Sequence, residues 1–263
     1  MKIAGANVLL TGAAGGIGQV LARRLTDAGA DLIVTSRDSD ALRSLAADLG
    51  ARCVPADLAD PHDLTALAER CGDVDIVVAN AAKPASGDLF DYTPDEVDRA
   101  LTVNLRSSVM LARLLAPAMV EAGRGHLAFI GSVAGMLATP HSSLYSATKF
   151  GLRGFAHALR QDLHPSGVGV SLVQPGIVGD AGMFEKTGVP VPKGMRTVTA
   201  GQVADAVVNS IEENRAEVNV APAEIKVLCA LALQFPSAAA WIQRQQPPDN
   251  TTQQIAEAQR ALR

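Results

Sequence analysis

Short apolar runs alternate along the chain with longer segments in which apolar residues recur every three or four positions. The short runs predict strands at 7–10, 31–35, 52–56, 75–80, 126–131, 168–174 and 217–220. The longer segments predict helices at 17–28, 40–49, 61–70, 94–121, 143–163 and 200–213. Several runs, such as "DIVVAN" at 75–80, are apolar throughout, which is typical of strands buried on both faces. The pattern predicts an α/β fold, a doubly wound parallel sheet of about seven strands with helices on both faces.

No linker or repeat divides the chain, so we predict one domain over residues 1–222. Within it, the glycine-rich segment 176–199 has the length of a lid or binding loop. Residues 223–263 are expected to form a C-terminal helical extension and a polar tail, loosely held after Pro247. The apolar run at 227–235 falls short of the roughly 20 residues that span a bilayer. It predicts a buried or interfacial helix that closes a site, pairs subunits or makes peripheral membrane contact.

Composition narrows the partners and the compartment. Hydrophobic residues make up 48% of the chain and aromatic residues 3%, so the core is expected to be aliphatic. A net charge of −4 argues against a nucleic-acid partner. The three cysteines form no CxxC pair and the five histidines lack metal-ligand spacing, so we expect no metal and a reducing compartment. The start of the chain leaves no room for a signal peptide, and we predict a cytoplasmic location.

The stretch "TGAAGGIG" at 11–18 joins the first predicted strand to the first predicted helix. Glycine loses more backbone freedom on folding than any other residue, so four glycines in eight residues are costly to order. A tight turn before a helix N-terminus can hold a phosphate on free backbone N–H groups. Because the GK[ST] ending of a P-loop is missing, the pattern favours a dinucleotide. A plain strand-to-helix connection is the alternative.

The end of the second predicted strand, "VTSRDSD", bears on which dinucleotide binds. Dinucleotide-binding folds select the adenosine ribose at this point, where an acidic residue would bond a free 2′-hydroxyl. Ser36 and Arg37 instead offer a hydroxyl and a guanidinium suited to a 2′-phosphate. We therefore predict NADP(H), with NAD(H) second. The alternative is a solvated loop arginine beside Asp38 and Asp40.

The stretch "YSATKFGLRGF" places Tyr145 and Lys149 four residues apart in a predicted helix, so both project from one face. A phenol has a pKa near 10, too high for efficient proton exchange near neutrality. A neighbouring ammonium favours the phenolate, which predicts a lowered pKa for Tyr145. On its own, a Y-x-x-x-K pattern is also common as a surface pair.

Together these motifs resemble the short-chain dehydrogenase/reductase family over residues 5–220. The resemblance rests on the TGxxxGxG pattern at 11–18, Asp57, "ANAA" at 79–82, Asn104, Ser132, Tyr145-x-x-x-Lys149 and "PG" at 175–176. It implies a Rossmann-like fold and an NADP(H)-dependent dehydrogenase or reductase that acts on CH–OH groups. The cofactor-binding positions that it implies are Gly12, Gly15, Gly16, Ile17 and Gly18 at the pyrophosphate, Ser36 and Arg37 at the 2′-phosphate, Asp57 and Leu58 at the adenine, Asn80 and Ala81 beside the cofactor strand, and Tyr145, Lys149, Pro175, Gly176 and Val178.

The resemblance also implies four catalytic residues. Tyr145 would be the general acid in ketone reduction, and Lys149 would bind the nicotinamide ribose and lower the tyrosine pKa. Ser132 would orient the substrate oxygen, and Asn104 would anchor a water in a proton relay. These roles are chemically consistent, because hydride transfer to a carbonyl leaves negative charge on oxygen that needs hydrogen-bond donors and a proton.

Two positions depart from the family pattern. Ala82 stands where the family commonly has glycine, and Asp180 stands where many members carry a threonine that meets the nicotinamide amide. The lid contributes apolar groups that favour a hydrophobic, lipid-like or alicyclic substrate. These are Met183, Phe184, Val189, Val191 and Met195. The alternative is that they only pack the lid onto the protein.

We therefore predict an active oxidoreductase with a small-molecule carbonyl or alcohol substrate. The main alternative is a non-catalytic NADP(H)-binding regulatory protein of the same fold. A methyltransferase on a similar sheet would ordinarily carry an acidic residue after the second strand, and would not use Tyr145 and Lys149. The resemblance further implies a homodimer or homotetramer that pairs through the helices at 94–121 and 143–163.

Overall fold

The computed structural model describes residues 1–37, 39–191, 196–245 and 251–260. Within them, seven strands form a single sheet, and each strand pair is parallel. The strands are β1 (Asn7–Thr11), β2 (Asp31–Thr35), β3 (Arg52–Cys53), β4 (Ile76–Ala79), β5 (Gly125–Ile130), β6 (Val168–Pro175) and β7 (Glu217–Val220). Their order is β3-β2-β1-β4-β5-β6-β7, which confirms the predicted doubly wound sheet.

Helices connect the strands and continue beyond the last one. They are α1 (Gly16–Asp27), α2 (Asp40–Leu49), α3 (Pro61–Cys71), α4 (Pro94–Leu101), α5 (Ser107–Glu121), α6 (Ser143–Leu163), α7 (Ala200–Glu212), α8 (Ala223–Gln234), α9 (Pro236–Gln245) and α10 (Thr251–Arg260). Local signals begin several of them: the Asp60 carboxylate caps α3 ahead of Pro61, and Thr93 and Glu96 form a capping box on α4.

Two aliphatic layers cover the two faces of the sheet. Neighbouring residues of β1 point to opposite faces, so Val8 and Leu10 belong to one layer and Leu9 to the other. The first layer is completed by α1, α2 and α7, and the second by α3, α5 and α6. Burial on both faces explains why the strands are apolar throughout.

The strand order changes direction at β1: β2 and β3 lie on one side of it, and β4 to β7 lie on the other. β1 pairs with β2 on one side and with β4 on the other, so a crevice opens outside the carboxyl ends of β1 and β4. Ligands of doubly wound sheets bind at such a switch point. The loops after β1, β4, β5 and β6 all leave the sheet at this edge.

Two predicted elements differ from the structure. The strand predicted at 52–56 is regular only over Arg52–Cys53, although the Val54 and Ala56 N–H groups still donate to the Val34 and Ser36 carbonyls at 3.0 and 2.9 Å. The helix predicted at 94–121 is interrupted by a π-helical turn, Thr102–Arg106, in which the Ser107 N–H bonds the Thr102 carbonyl. An inserted π-turn of this kind is frequent at functional sites.

The described residues after Pro222 form three helices, and α10 is docked on the rest of the protein. α8 and α9 pack on Met136 and Leu137 through Cys229, Ala232 and Ala239. α10 was expected to be part of a loose polar tail, yet Gln259 is buried and accepts the Ser86 N–H at 3.3 Å. Arg260 also pairs with Asp91 at 3.4 Å. Among the described residues we find no helix whose length and apolarity would let it cross a bilayer.

Candidate active site

The glycine turn lies at the carboxyl end of β1, against the loop that follows β4. Gly12 has a φ of +65°, and a Cβ there would come within 2.8 Å of the Ala81 Cα, so only glycine fits. Gly15 is the N-cap of α1 and carries no side chain, so the backbone N–H groups of the first turn face the crevice unshielded. Gly18 is buried against the Gly12 carbonyl, and Ile17 is half-buried beside it.

Thr11 and Asn80 lock this turn onto β4. The Thr11 hydroxyl accepts the N–H groups of Asn80 and Ala81 at 3.0 and 3.1 Å. The Asn80 amide donates in return to the carbonyls of Thr11 and Gly12 at 3.1 and 3.3 Å. Asn80 therefore acts on the glycine turn directly, and the motif Thr11 has a role that the sequence analysis did not assign.

Three cations gather at the rim beyond β2. Ser36 is half-buried and Arg37 is exposed, and Arg37 makes no ion pair within the described residues. Lys83, in the loop after β4, is partly buried, and burial together with the charges of Arg99 and Arg37 lowers its pKa. Arg99, on α4, donates to an Asp57 carboxylate oxygen at 2.7 Å. The rim therefore has one ion pair and two further cations, Arg37 and Lys83.

Asp57 is an acidic residue of the rim, and Leu58 beside it is buried. Burial raises the pKa of the Asp57 carboxyl, but the Ala59 N–H and the Arg99 guanidinium outweigh it and hold the pKa below its usual value. A cavity of about 320 Å³ adjoins the pair, between the Lys83 loop and α4. Sequence reasoning missed Arg99, because it is 42 residues from Asp57 and no motif joins them.

Ser132, Tyr145 and Lys149 converge at the carboxyl end of β5. Ser132 follows β5 and caps a short 3₁₀ turn, Val133–Gly135, and its hydroxyl makes a side-chain hydrogen bond with Tyr145. Tyr145 and Lys149 lie one turn apart on α6, as their spacing predicts. The Lys149 ammonium donates to the Ile130 carbonyl at 2.9 Å and lies 5.7 Å from the centre of the Tyr145 ring.

Burial acts on the two titratable groups in opposite directions. It raises the pKa of Tyr145, and the hydrogen bond from Ser132 only partly offsets this. It lowers the pKa of Lys149 to about 8. The expected lowering of the tyrosine pKa by Lys149 is therefore wrong for this structure. Burial sets this direction, because it removes hydration from the phenolate.

Asn104 lies in the π-helical turn and is 1% exposed. Its side-chain oxygen accepts the Lys83 N–H at 2.7 Å, and its side-chain nitrogen donates to the Lys83 carbonyl at 3.0 Å. The side chain predicted to anchor a water thus holds the loop after β4. The π-turn also packs against α6, so this contact links the Lys83 loop to the helix that carries Tyr145.

The loop after β6 closes over the glycine turn. Pro175 is buried at the end of β6, the Gly176 N–H bonds the Val220 carbonyl at 2.8 Å, and buried Val178 forms a bridge with Val198. A Cβ on Gly16 would approach the Gly182 nitrogen to 2.6 Å, so the lid contacts the first turn of α1.

The lid side chains differ in their hydrogen bonds and in their exposure. Asp180 accepts the Ala200 N–H at 2.8 Å and so caps α7, a role that sequence reasoning left open. Met183, Phe184 and Val189 are half-buried, whereas Val191 is 40% exposed. Met195 lies outside the described residues.

The residues at this edge fit a dinucleotide. Gly12 and Gly15 leave the backbone bare at a helix N-terminus, which is what a pyrophosphate requires. Arg37 is exposed at the end of β2, where a 2′-phosphate would need a cation. Ser132 and Tyr145 supply two hydroxyl groups at the neighbouring strand end, where a carbonyl oxygen could be held.

Comparison with known proteins agrees with this geometry. Residues 6–189 match the family described as short chain dehydrogenase. The ketoacyl reductase HetN of Nostoc sp. strain PCC 7120 is 35% identical over 227 residues, which cover 83% of this chain and 79% of that protein. An uncharacterized oxidoreductase of Staphylococcus aureus strain N315 is 30% identical over 219 residues, 81% of this chain and 93% of that protein.

Two solved structures are also similar. A short-chain dehydrogenase from Sphingobium yanoikuyae in complex with NADPH superposes with a TM-score of 0.77 at 28% identity, covering 93% of this chain and 98% of its own. A metagenomic short-chain oxidoreductase in complex with NADP superposes with a TM-score of 0.70 at 29% identity, covering 84% of this chain and 99% of its own.

Proposed function

Since this chain belongs to the short-chain dehydrogenase/reductase family, we propose that it is an NADP(H)-dependent oxidoreductase that interconverts a hydrophobic carbonyl compound and its secondary alcohol. One observation carries the proposal. Ser132, Tyr145 and Lys149 meet at the carboxyl end of β5, on the same edge of the sheet as the glycine turn. A binding protein without catalysis would have no use for a half-buried phenol and a buried ammonium side by side.

In the proposed complex, the first turn of α1 holds the pyrophosphate and Arg37 holds the 2′-phosphate. Asp57 and Leu58 border the adenine, Asn80 and Ala81 keep the glycine turn in place, and Lys149 binds the nicotinamide ribose. When bound, the nicotinamide supplies the hydride in reduction and accepts it in oxidation. NADP(H) is favoured over NAD(H) because a guanidinium, not a carboxylate, follows β2.

The chain's own residues then manage the oxygen and the proton. Ser132 and Tyr145 donate hydrogen bonds to the carbonyl oxygen, which stabilises the negative charge that grows there during reduction. Tyr145 gives its proton to that oxygen, and the alcohol leaves with a new O–H bond. A raised pKa for Tyr145 keeps the phenol protonated and ready for this step near neutral pH. In the oxidation direction, the same groups work in reverse.

A hydrophobic substrate is favoured by the lid. Met183, Phe184 and Val189 lie half-buried in the loop that closes over the crevice. Apolar side chains of this kind line most ligand pockets, and the flexible Met183 can adapt to an irregular apolar ligand. We further propose a homodimer or homotetramer, supported by Leu101 and Phe150, which are 36% and 39% exposed on the helices expected to pair. A cytoplasmic location remains a prediction.

The experiment that tests the function is a panel of hydrophobic ketones with NADPH, followed by the loss of NADPH absorbance. We expect turnover for wild type and a loss of at least about 100-fold for Tyr145→Phe, because the proton donor is removed. Tyr92→Phe is the matched control, since Tyr92 is the other tyrosine of the chain and lies outside the proposed machinery. NADPH binding by both proteins without turnover on any ketone or alcohol would favour the regulatory alternative.

A further inference from the structure

A row of large apolar side chains is exposed on α8 and α9. Val227 and Leu231 lie one turn apart on α8, and Phe235 follows at its end. Trp241 and Ile242 are exposed on α9, the helix that follows. The exposed fractions are 60%, 49%, 62%, 59% and 43%, in chain order. We call these five residues the apolar ridge.

The opposite side of these helices is attached to the active-site region. Cys229 and Ala232 pack on Met136 and Leu137, four and five residues after the catalytic Ser132. The Gln243 amide donates to the Ala138 carbonyl at 3.2 Å. α8 and α9 are therefore each attached to the protein on one side. The apolar ridge is exposed because it lies on these helices away from that contact.

We propose that the apolar ridge is a docking surface for lipid bilayers with anionic headgroups. Charge favours this occupant. Residues 225–245 contain Lys226 and Arg244 and no Asp or Glu, although the whole chain carries −4. Both cations are exposed, and the nearest acid, Glu224, is paired with Arg196. Basic side chains around exposed Trp, Phe and Leu are typical of surfaces that insert into the headgroup region.

The ridge is large enough for shallow insertion. Five large side chains, each about half exposed, present roughly 500 Å² of apolar surface. Shallow insertion needs only an apolar ridge and a few cations. Trp is also well suited to the boundary, since its ring is apolar and its N–H remains in the polar layer.

Docking through the ridge would bring α8 and α9, which pack on the segment after Ser132, to the membrane surface. Only one consequence rests on the proposed function, that a lipid-like carbonyl compound would pass from the bilayer into the cleft. The docking itself requires neither cofactor nor turnover. Its test therefore separates it from the proposed reaction.

Trp241 is the only tryptophan of the chain, so the intrinsic emission reports on the ridge alone. We would titrate the full chain with phosphatidylcholine vesicles, with and without phosphatidylglycerol, and follow emission and co-sedimentation. The expected result is a blue shift with the anionic vesicles and weaker binding to the neutral ones. Leu231→Ser/Phe235→Ser should weaken binding roughly tenfold or more, and Lys226→Gln/Arg244→Gln about fivefold per charge on anionic vesicles.

Val120→Ser is the matched control, because Val120 is 41% exposed on α5, outside the ridge. It should bind vesicles like wild type, and circular dichroism should show that all variants are folded. Absence of any shift up to millimolar lipid, or equal binding by the ridge variant, would overturn the proposal. A blue shift that grows with protein concentration without lipid, with a doubled mass in light scattering, would assign the ridge to a second copy and also overturn it.

Discussion

Tyr145 and Lys149 share one site, and each is kept in the state that the proposed ketone reduction requires. The phenol stays protonated because burial penalises its anion. The ammonium has a pKa of about 8 and is still mostly charged at neutral pH, where it donates to the Ile130 carbonyl. The site therefore holds a protonated, half-buried phenol and a buried ammonium one helical turn away.

Arg99 is expected to affect binding of the proposed cofactor through its ion pair with Asp57. In Arg99→Met, the Asp57 carboxylate loses its partner at 2.7 Å and would repel a 2′-phosphate nearby. We expect NADPH affinity to fall about fivefold, on the order of 1 kcal/mol, with a smaller change for NADH. Quenching or enhancement of cofactor fluorescence measures both.

Two further variants make this test specific. Asp57→Asn/Arg99→Met should recover the NADPH preference, since the repelling charge is gone. Arg124→Met removes a similar pair with Asp75, 3.2 Å apart, and should bind both cofactors like wild type. If the double variant binds NADPH as poorly as Arg99→Met does, Arg99 is not acting through the charge of Asp57.

At the scale of single residues, the sequence predicts which side chains share a site better than it predicts the pKa shifts of those side chains. Tyr145 and Lys149 could be placed together because a spacing of four sets one face of a helix. Ser132 could be placed because it follows a predicted strand. The direction of the Tyr145 pKa could not be predicted, because it depends on burial by segments distant in sequence.

At the scale of elements, the lid and α7 are joined by Asp180. Its carboxylate accepts the Ala200 N–H at 2.8 Å, next to the Thr199–Gln202 capping box. We expect Asp180→Ala to lower the free energy of unfolding by about 1 kcal/mol, the usual cost of losing a helix cap. Asp180→Asn keeps an acceptor and should be close to wild type in urea unfolding. Equal stability of all three proteins would show that this cap is not stabilising.

Element boundaries were predictable wherever the local sequence determines them. Thr93 and Pro94 begin α4, and Gly50 ends α2 in a left-handed conformation. The π-turn at 102–106 was not predictable, because the apolar periodicity continues through it and the bond of Asn104 to the distant Lys83 backbone leaves no local sequence signal. α10 was not predicted either. Its sequence is polar and gives no sign that Gln259 is buried and accepts the distant Ser86 N–H.

At the scale of the whole molecule, the sheet also holds a buried histidine at its opposite edge. His126, near the start of β5, is 1% exposed and bonds the Ser171 hydroxyl at 2.8 Å. Burial lowers its pKa to about 3, and the N-terminal amine and Arg160 act in the same direction. The unfolded chain takes up this proton below about pH 6.5, whereas the native protein does so only near pH 3.

Stability is therefore lost as pH falls through this window. Between pH 7 and pH 4.5, His126 should cost the native state roughly 2–3 kcal/mol. We expect urea unfolding to show a pH dependence steeper by this amount in wild type than in His126→Gln. Parallel pH profiles for the two proteins would contradict a neutral buried His126.

The central claim is that this edge of the sheet binds NADP(H) for hydride transfer. The most direct test is calorimetric titration of wild type and Arg37→Met with NADPH and with NADH. The account predicts that wild type binds NADPH at least about tenfold more tightly than NADH, and that Arg37→Met loses this preference while NADH affinity changes little. Binding of neither nucleotide, or a preference for NADH that Arg37→Met leaves unchanged, would contradict it.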